Sequence, residues 1–522
     1  MFSANTDEKP VRFVATRSDD MRASGVLMHI SSLPSEYGIG TMGREALRFI
    51  DFLSDAGQSF WQMLPIGPTS YGDSPYQSYS TNAGNPYFID PELLWQHLGM
   101  HPGRDATTNQ RRRYDTVDYN AIYMNRLPLL RSAFEQFCET ERIGFKEYCD
   151  GRRDWLDDYA LFMALKQDHG GVSWLDWEDS YRDRDASALR EFTASHQTDL
   201  DFWKFVQYMF YMQWTDLREY AHEHGVRIIG DLPLYIALDS ADVWSDPQLF
   251  HLDNAGQPVV VAGTPPDYFS DEGQLWGNPV YRWEEHKRQG YRWWIGRMRR
   301  QAEWFDVIRM DHFLGFVSYY TIPSGHADAR QGVWNEGPGR ELFDAVNDAL
   351  GPLTLIAEDL GVITQPVIEL RDDLGLPGMR VLQFAFDNGE RDNEHMPRNI
   401  GRNCVAYVGT HDNPTLKGWW RHLSLPAKWR ALKYFGCLFP FSVQNRMMDA
   451  VMETDAYLVI LTMQDLLALD DRARMNRPGV VTGNWRWRMD RDALAPDLAL
   501  ALKDRTARFG RTALKPDNTD LK

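Results

Sequence analysis

Residues 292–311 read RWWIGRMRRQAEWFDVIRMD, and residues 341–359 read ELFDAVNDALGPLTLIAED. Each stretch has helix-period apolar residues followed by a short apolar run that closes on a carboxylate. In the first, 292–305 predicts a helix and 306–311 a strand ending in Asp311; in the second, 341–350 predicts a helix and 353–359 a strand carrying Glu358 at its end. A helix feeding a short buried strand, twice in succession, is the pattern of βα units around a parallel sheet.

The same alternation extends in both directions. GVLMHI (25–30), FWQMLP (60–65), VRIIGDLP (226–233), GMRVLQFAF (378–386), NCVAYVG (403–409) and AYLVILT (456–462) bring the strand candidates to eight, with a weaker strand-like stretch at 86–90. Helical patterns at 46–57, about 202–224, 366–374, 425–437 and 442–453 alternate with them. Eight βα units predict an α/β fold, a (β/α)8 TIM barrel with large insertions at its C-terminal face; a doubly wound sheet is the alternative. A single catalytic barrel is expected over 21–510. The stretches 66–200 and 232–290 are rich in Gly, Pro, Tyr, Trp and Asp and break the repeat, so they read as insertions forming cleft subdomains. Residues 1–20 and 511–522 are polar and read as loose termini.

Composition narrows the function. The chain has 522 residues with 56 basic against 74 acidic side chains, a net charge of −18. Without a basic patch to collect phosphates, nucleic acid is not an expected partner, and neither is an anionic membrane surface. No apolar run approaches the length of a membrane span. Four cysteines (Cys138, Cys149, Cys404, Cys437) show no metal-ligand spacing, and the N-terminus has no signal-peptide core, which together predict a cytoplasmic protein. No feature of the chain specifies an oligomeric state. Aromatic residues make up 13 %, and several, including Tyr71, Tyr76, Tyr79, Tyr87, Tyr268, Phe269 and Trp276, stand in polar, Gly/Pro-rich stretches where they offer flat faces for sugar rings as well as core packing.

One tempting motif fails. Gly38-Ile39-Gly40-Thr41-Met42-Gly43 matches GxGxxG, but SSLPSEY separates it from the strand before, so a loop over the barrel mouth is the better reading than a dinucleotide site. The stronger signal is three strand-end carboxylates in succession: Asp311, Glu358, and Asp412 after VAYVGTH. In a barrel, such positions point into the mouth from separate strands. Strand period places Arg309 on the same face as Asp311, where its charge would favour the ionised nucleophile. Glu358 follows Leu355-Ile356-Ala357, and desolvation there would raise its pKa, as a general acid requires. Two carboxyl groups flanking a bond, near aromatic platforms, is the arrangement for glycosidic cleavage.

With these residues in view, the chain resembles the amylomaltases (4-α-glucanotransferases, or disproportionating enzymes) of the α-amylase superfamily. The resemblance runs from about Gly25 to Met489. It rests on GVLMHISSLPSEYGIGTMG, SPYQSYSTNAGNPYFID, WLDDYALFMALK, GDLPLYIALDSADVW, GTPPDYFSDEGQLWGNPVY, FDVIRMDHFLGF, LIAEDLG, VLQFAFD, YVGTHDN, RMNRPG and GNWRWR. It implies that Asp311 is the nucleophile, Glu358 the general acid/base and Asp412 the third carboxylate. It further implies that Arg309, His312, Asp231 and His411 surround the cleaved bond, that Tyr76, Gln274, Trp276, Phe384 and Asn476 contact glucan, and that 264–279 is a loop arching over the cleft. The implied activity is transfer of α-1,4-glucan segments between maltooligosaccharides by a retaining double displacement, with no cofactor and no metal. An α-1,4-glucan hydrolase is the same-chemistry alternative, and a non-catalytic glycan-binding protein the alternative of another class. Three places depart from the family pattern: Asn413-Pro414-Thr415 after HD, Leu314 in place of a common arginine, and Arg477 with Val480 around RMN. They bear on acceptor preference and product size rather than on the carboxylates.

Overall fold

The computed structural model describes residues 22–99, 116–137, 143–266, 272–361, 363–386, 392–437 and 440–511. Among these residues twelve strands run in chain order: β1 (Ala23–Leu27), β2 (Phe60–Gln62), β3 (Arg227–Leu232), β4 (Val260–Thr264), β5 (Gln274–Pro279), β6 (Val307–Met310), β7 (Ser318–Pro323), β8 (Val333–Glu336), β9 (Leu355–Ala357), β10 (Gly378–Val381), β11 (Cys404–Tyr407) and β12 (Leu458–Thr462). Eight of them form one parallel sheet in the order β10-β11-β12-β1-β2-β3-β6-β9. The seam between its first and last strands is bridged where Ala357 N–H donates to Pro377 O at 2.9 Å. The protein is a nearly closed (β/α)8 barrel, and its eight strands are the eight that the apolar runs predict.

Strand period two builds the barrel from the sequence. Leu27, Phe60, Ile229, Val307, Ile356, Met379, Val405, Tyr407, Leu458 and Ile460 form a cluster inside it. The residues between them, such as Trp61, Ile228, Ile308, Ala406 and Val459, face the outer layer and join the main core. Helices Arg44–Asp55, Gln197–Glu223, Arg292–Trp304, Arg340–Leu350 and Pro440–Glu453 make up much of that layer. In a sheet buried on both faces, alternation vanishes from the sequence and only the apolar run remains. Polar side chains enter the barrel above the apolar cluster, beginning with Tyr407 OH donating to Gln62 Oε1 at 2.9 Å.

Several expectations need correction. The stretch 86–90 holds a 3-10 turn at Pro86–Phe88, started by Asn85, whose side chain accepts from Tyr87 N–H at 3.0 Å. The run 378–386 leaves the sheet after Val381 and winds into a 3-10 turn over Leu382–Phe386, turned aside where Gln383 N–H bonds Val408 O at 3.1 Å. The segment 264–279 is not an irregular loop throughout. It contributes to the antiparallel hairpin of β4 and β5, whose connection includes Tyr268 and Phe269, which lie outside the described residues. That hairpin belongs to a second sheet, β5-β4-β7-β8, which draws two strands from after β6 rather than from the 232–290 insertion alone. The 66–200 stretch is mainly helical, with helices at Pro91–His97, Tyr119–Phe137, Ile143–Asp150, Arg153–Asp168 and Ala186–Ser195.

The C-terminal boundary also moves. Arg511, expected in a loose terminus, is fully buried and donates to the carbonyls of Met452 (2.8 Å), Thr454 (2.8 Å), Ala456 (2.9 Å) and Ala23 (3.1 Å). Its planar five-donor fork ties the start of β1 to the approach to β12. Residues 512–522, like 1–20, lie outside the described residues.

Candidate active site

The site is built on adjacent strands β3, β6 and β9. Asp231 on β3 stands opposite Arg309 on β6 in the ladder, each in phase with an inward-facing residue, Ile229 and Val307. Arg309 Nη1 lies 2.7 and 2.8 Å from the two oxygens of Asp231 and 2.9 Å from Asp311 Oδ1. Burial alone would lower the guanidinium, but the charges of Asp231 and Asp311 overcome it and raise it well above its ordinary value. Burial likewise raises the Asp231 carboxyl, against the pull of Arg309. The side chain of Asp231 is 0 % exposed and that of Asp311 27 %, so of the two carboxylates sharing Arg309, Asp311 is the one a ligand can reach.

Backbone bonds fix the two strand-end acids against each other. Asp311 N–H donates to Leu232 O at 3.0 Å, and Glu358 N–H to Met310 O at 3.0 Å. His312 takes a left-handed conformation with φ +50°, which is uncommon outside glycine. That turn aims its N–H at Glu358 Oε2 (2.7 Å), while Leu360 N–H reaches Oε1 (3.1 Å). Burial still pushes the Glu358 carboxyl up to about 8, opposed by Arg309 and assisted by the charge of Asp311. Glu358 is therefore protonated at neutral pH, on the strand next to a carboxylate held against a guanidinium. Burial lowers the His312 imidazole to about 4, so it is neutral beside Asp311.

Asp412 stands across the mouth on the turn after β11. Its side chain is 41 % exposed, Asn476 Nδ2 donates to its Oδ1 at 2.6 Å, and His411 Nε2 lies 3.3 Å from its Oδ2. Tyr76 OH donates to Asp231 Oδ2 at 2.8 Å and lies 2.8 Å from His411 Nε2, with the two rings stacked at 5.5 Å. Since the tyrosine proton goes to Asp231, the bond to His411 assigns the imidazole proton to Nε2. Trp276, on β5, meets His312 edge-on at 4.8 Å and bonds Gln274 Oε1 through Nε1 at 3.2 Å. Phe384 packs against the barrel-interior cluster and edge-on to His395 at 5.4 Å. Around Asp311, then, contacts in the structure link Glu358, Asp231, Arg309, His312, Tyr76, His411, Asp412, Asn476, Trp276 and Gln274, with Phe384 on the barrel wall.

Three neighbours escape a reading of the sequence for carboxylates. Tyr235 lies 6.0 Å from the Trp276 ring and 6.4 Å from that of His312. Trp485 packs on Tyr76 and His411 at 5.7 and 6.1 Å. Arg474 bonds the main-chain oxygens of Asp412 and Asn476, each at 2.6 Å. The Tyr in GDLPLY and the first Trp of GNWRWR were the only available signals, and neither reveals its contacts. The departures are accommodated locally: Asn413 Oδ1 accepts from both N–H and OH of Thr410 at 2.9 Å, and Gln383 Nε2 bonds Pro414 O at 2.9 Å. Leu314 is buried in the main core, and Arg477 donates to Asp471 O at 2.9 Å. Among the described residues no group of three or more His, Cys, Asp or Glu is placed to hold a metal ion.

Comparison with known proteins decides the family. A family model described as 4-alpha-glucanotransferase matches residues 28–494. The chain belongs to the 4-alpha-glucanotransferase family. It is 45 % identical to the 4-alpha-glucanotransferase of Thermus thermophilus, covering 92 % of this chain and 97 % of that one. Identity to the 4-alpha-glucanotransferase of Streptococcus pneumoniae is 43 %, over 96 % and 99 %. The solved amylomaltase from Streptococcus agalactiae in complex with acarbose superposes with a TM-score of 0.90 at 39 % identity, covering 94 % of this chain and all of that one. Membership makes this a retaining glycosyltransferase acting on α-1,4-glucans, and these relatives lend the hydrolase alternative no support. No helix among the described residues is long and apolar enough to cross a membrane.

Proposed function

We propose that Asp311 and Glu358 carry a double displacement at the α-1,4-glucosidic bond. The observation that supports it most is their opposite electrostatic setting on neighbouring strands, one carboxyl ion-paired to Arg309 and the other raised to about 8. Glu358 donates its proton to the glycosidic oxygen as the C1–O bond breaks, and Asp311 attacks C1 to form a glycosyl ester. The shortened glucan leaves as an alcohol. The 4-hydroxyl of an acceptor glucan or glucose then gives its proton to the Glu358 carboxylate and attacks C1, regenerating Asp311. Asp412, open to the cleft and held by Asn476, is placed to accept hydrogen bonds from sugar hydroxyls. Tyr76, Asp231, Arg309, His312 and His411 brace the nucleophile, and Gln274, Trp276, Phe384 and Asn476 provide glucan contacts.

Transfer wins over hydrolysis when a bound acceptor reaches the ester before water. Trp276, half-buried over His312, is placed to keep water from that position and to stack on an acceptor ring. Cys149, Cys404 and Cys437 are free thiols, which fits a reducing, cytoplasmic location. Incubation with pure maltotriose tests the reading. Free glucose with a ladder of longer maltodextrins is the expected product set; glucose and maltose alone would make the protein a hydrolase, and no turnover a binding protein.

A further inference from the structure

The second sheet has two dissimilar faces. Gln274 and Trp276 of β5 lie on the face toward the barrel mouth, where Trp276 meets His312. On the opposite face, one cross-strand row joins Leu275, Gly263, Tyr320 and Trp334, since Gly263 pairs with both Leu275 and Tyr320, and Tyr320 with Trp334. A small apolar cluster of Val261, Tyr320, Ile322 and Ala329 forms on that face, separate from the main core.

Ala329 does not belong to a strand. It lies in the nine-residue segment 324–332 between β7 and β8, most of which is exposed, yet Ala329 itself is 0 % exposed. Its N–H donates to Glu272 O at 2.9 Å, just before β5 begins. Its own carbonyl accepts from Tyr320 OH at 3.0 Å, and that hydroxyl in turn accepts from Gly332 N–H at 2.8 Å. Asp328 accepts from both the N–H and Nε of Arg330 at 2.9 Å, stiffening the turn around Ala329. The fit is close: a Cβ on Gly273 would come 2.8 Å from Ala329 Cβ, and Gly273 has φ +69°. Among the described residues, the last rung of the β4–β5 ladder is Thr264 with Gln274, and Pro265 and Pro266, which follow, have no N–H to donate. The bond from Ala329 thus adds main-chain pairing next to the last rung among the described residues.

We propose that Tyr320 is a positioning residue for transfer: its hydroxyl holds the 324–332 segment as a strap, and the strap, through Ala329 and Glu272, sets the strand that presents Gln274 and Trp276 to the cleft. This rests on the reading of Trp276 as the cover that favours acceptor over water. Tyr320 touches neither the carboxylates nor their immediate partners, and its ring is retained in phenylalanine.

The test compares Tyr320→Phe, Ala329→Gly and Trp276→Ala on maltotriose, measuring longer maltodextrins against newly released reducing ends, with α-glucosyl fluoride consumption to follow ester formation. Loss of the hydroxyl removes both of its bonds and should lower the transfer-to-hydrolysis ratio roughly two- to fivefold, no further than Trp276→Ala does. Ester formation from the fluoride should change by less than about twofold, because no group near Asp311 is altered. Ala329→Gly, which removes the buried methyl and keeps the N–H, should lower the ratio in the same direction and carries the test if Tyr320→Phe does not fold. An unchanged ratio in both variants, while Trp276→Ala lowers it, overturns the strap and leaves the reading of Trp276 standing. An unchanged ratio in Trp276→Ala overturns that reading itself and the route through β5 with it.

Discussion

The barrel mouth and the sheet that leans over it hold their functional residues by different means. At β3, β6 and β9 the side chains are locked by a ladder register, a buried guanidinium shared by two carboxylates, and backbone bonds from Asp311 and Glu358 to neighbouring strands. In the antiparallel sheet, Trp276 and Gln274 lie on a strand paired, among the described residues, on one side only, with the strap from Ala329 at its beginning. The mouth fixes atoms that must not move during bond cleavage; the outer sheet shapes what approaches them. Perturbing the first should therefore stop the chemistry, while perturbing the second should redirect its products.

The largest effect belongs to Asp311→Asn. On the nucleophilic role proposed for Asp311, its loss should reduce turnover by about 10^5-fold or more. Thermal stability and glucan binding should be nearly unchanged, since an amide can still accept a hydrogen bond from Arg309. A variant retaining more than a small fraction of turnover on maltotriose would place the nucleophile elsewhere. Next comes Glu358→Gln, with a loss of roughly 10^2–10^4-fold on maltotriose. α-Glucosyl fluoride needs no protonated leaving group, so this variant should accumulate a glycosyl adduct on Asp311 visible by intact mass. On the acid role proposed for Glu358, the parent enzyme's donor reaction uses its protonated form, so the rate should fall as pH rises through about 8. The same group links to stability: its folded pKa lies above its unfolded value, so its favourable contribution is complete at low pH and lost as pH rises toward 8. Glu358→Gln should accordingly gain in relative melting temperature from about pH 5 to about pH 9. A flat difference would mean the carboxyl is not held neutral.

How much of this contrast the sequence reveals follows from the same physics. Eight barrel strands are legible because sheets buried on both faces leave uninterrupted apolar runs, and Asp311, Glu358 and Asp412 are legible because they terminate or follow such runs. The pairing of Arg309 with Asp311 follows from period two. Its second partner, Asp231, is invisible without the β3–β6 register, which depends on residues far apart in the chain. The outer sheet is less legible still: β7 and β8 lie beyond β6, and the ladder that joins β7 to β4 is a non-local fact. Nothing local in 324–332 marks Ala329 as buried. For Gln274, Phe384 and Asn476, residue type and spacing were silent, and only the likeness to a family pointed to them.

Arg309 tests whether the mouth is as strongly held as its bonds suggest. Arg309→Met leaves Asp231 buried without its cation, which should destabilise the fold by roughly 3–5 kcal/mol in chemical denaturation. Adding Asp231→Asn removes the stranded charge and should restore a large part of that loss without restoring activity, because Asp311 still lacks its counter-charge. Equal stabilities of parent and single variant would show that the carboxylates do not depend on the guanidinium.

The smallest effect, and the one that bears most on the outer sheet, belongs to Trp276→Ala. The indole is half-buried, edge-on to His312 at 4.8 Å and near Tyr235 at 6.0 Å, so two roles compete. If the ring only anchors β5 to the barrel, its loss should lower the melting temperature and total activity together while leaving product proportions alone. If it excludes water and stacks on the acceptor, the ester at Asp311 will form at nearly the parent rate but be intercepted more often by water. The loss of one stacking contact is worth about 1 kcal/mol, a fewfold fall in the ratio of transfer to hydrolysis. That ratio is independent of how much active enzyme is present, so it separates the two roles even in a destabilised preparation. Raising maltose or glucose concentration should restore the parent proportions in the second case, because more acceptor offsets weaker capture, and should do nothing in the first, where the proportions never changed.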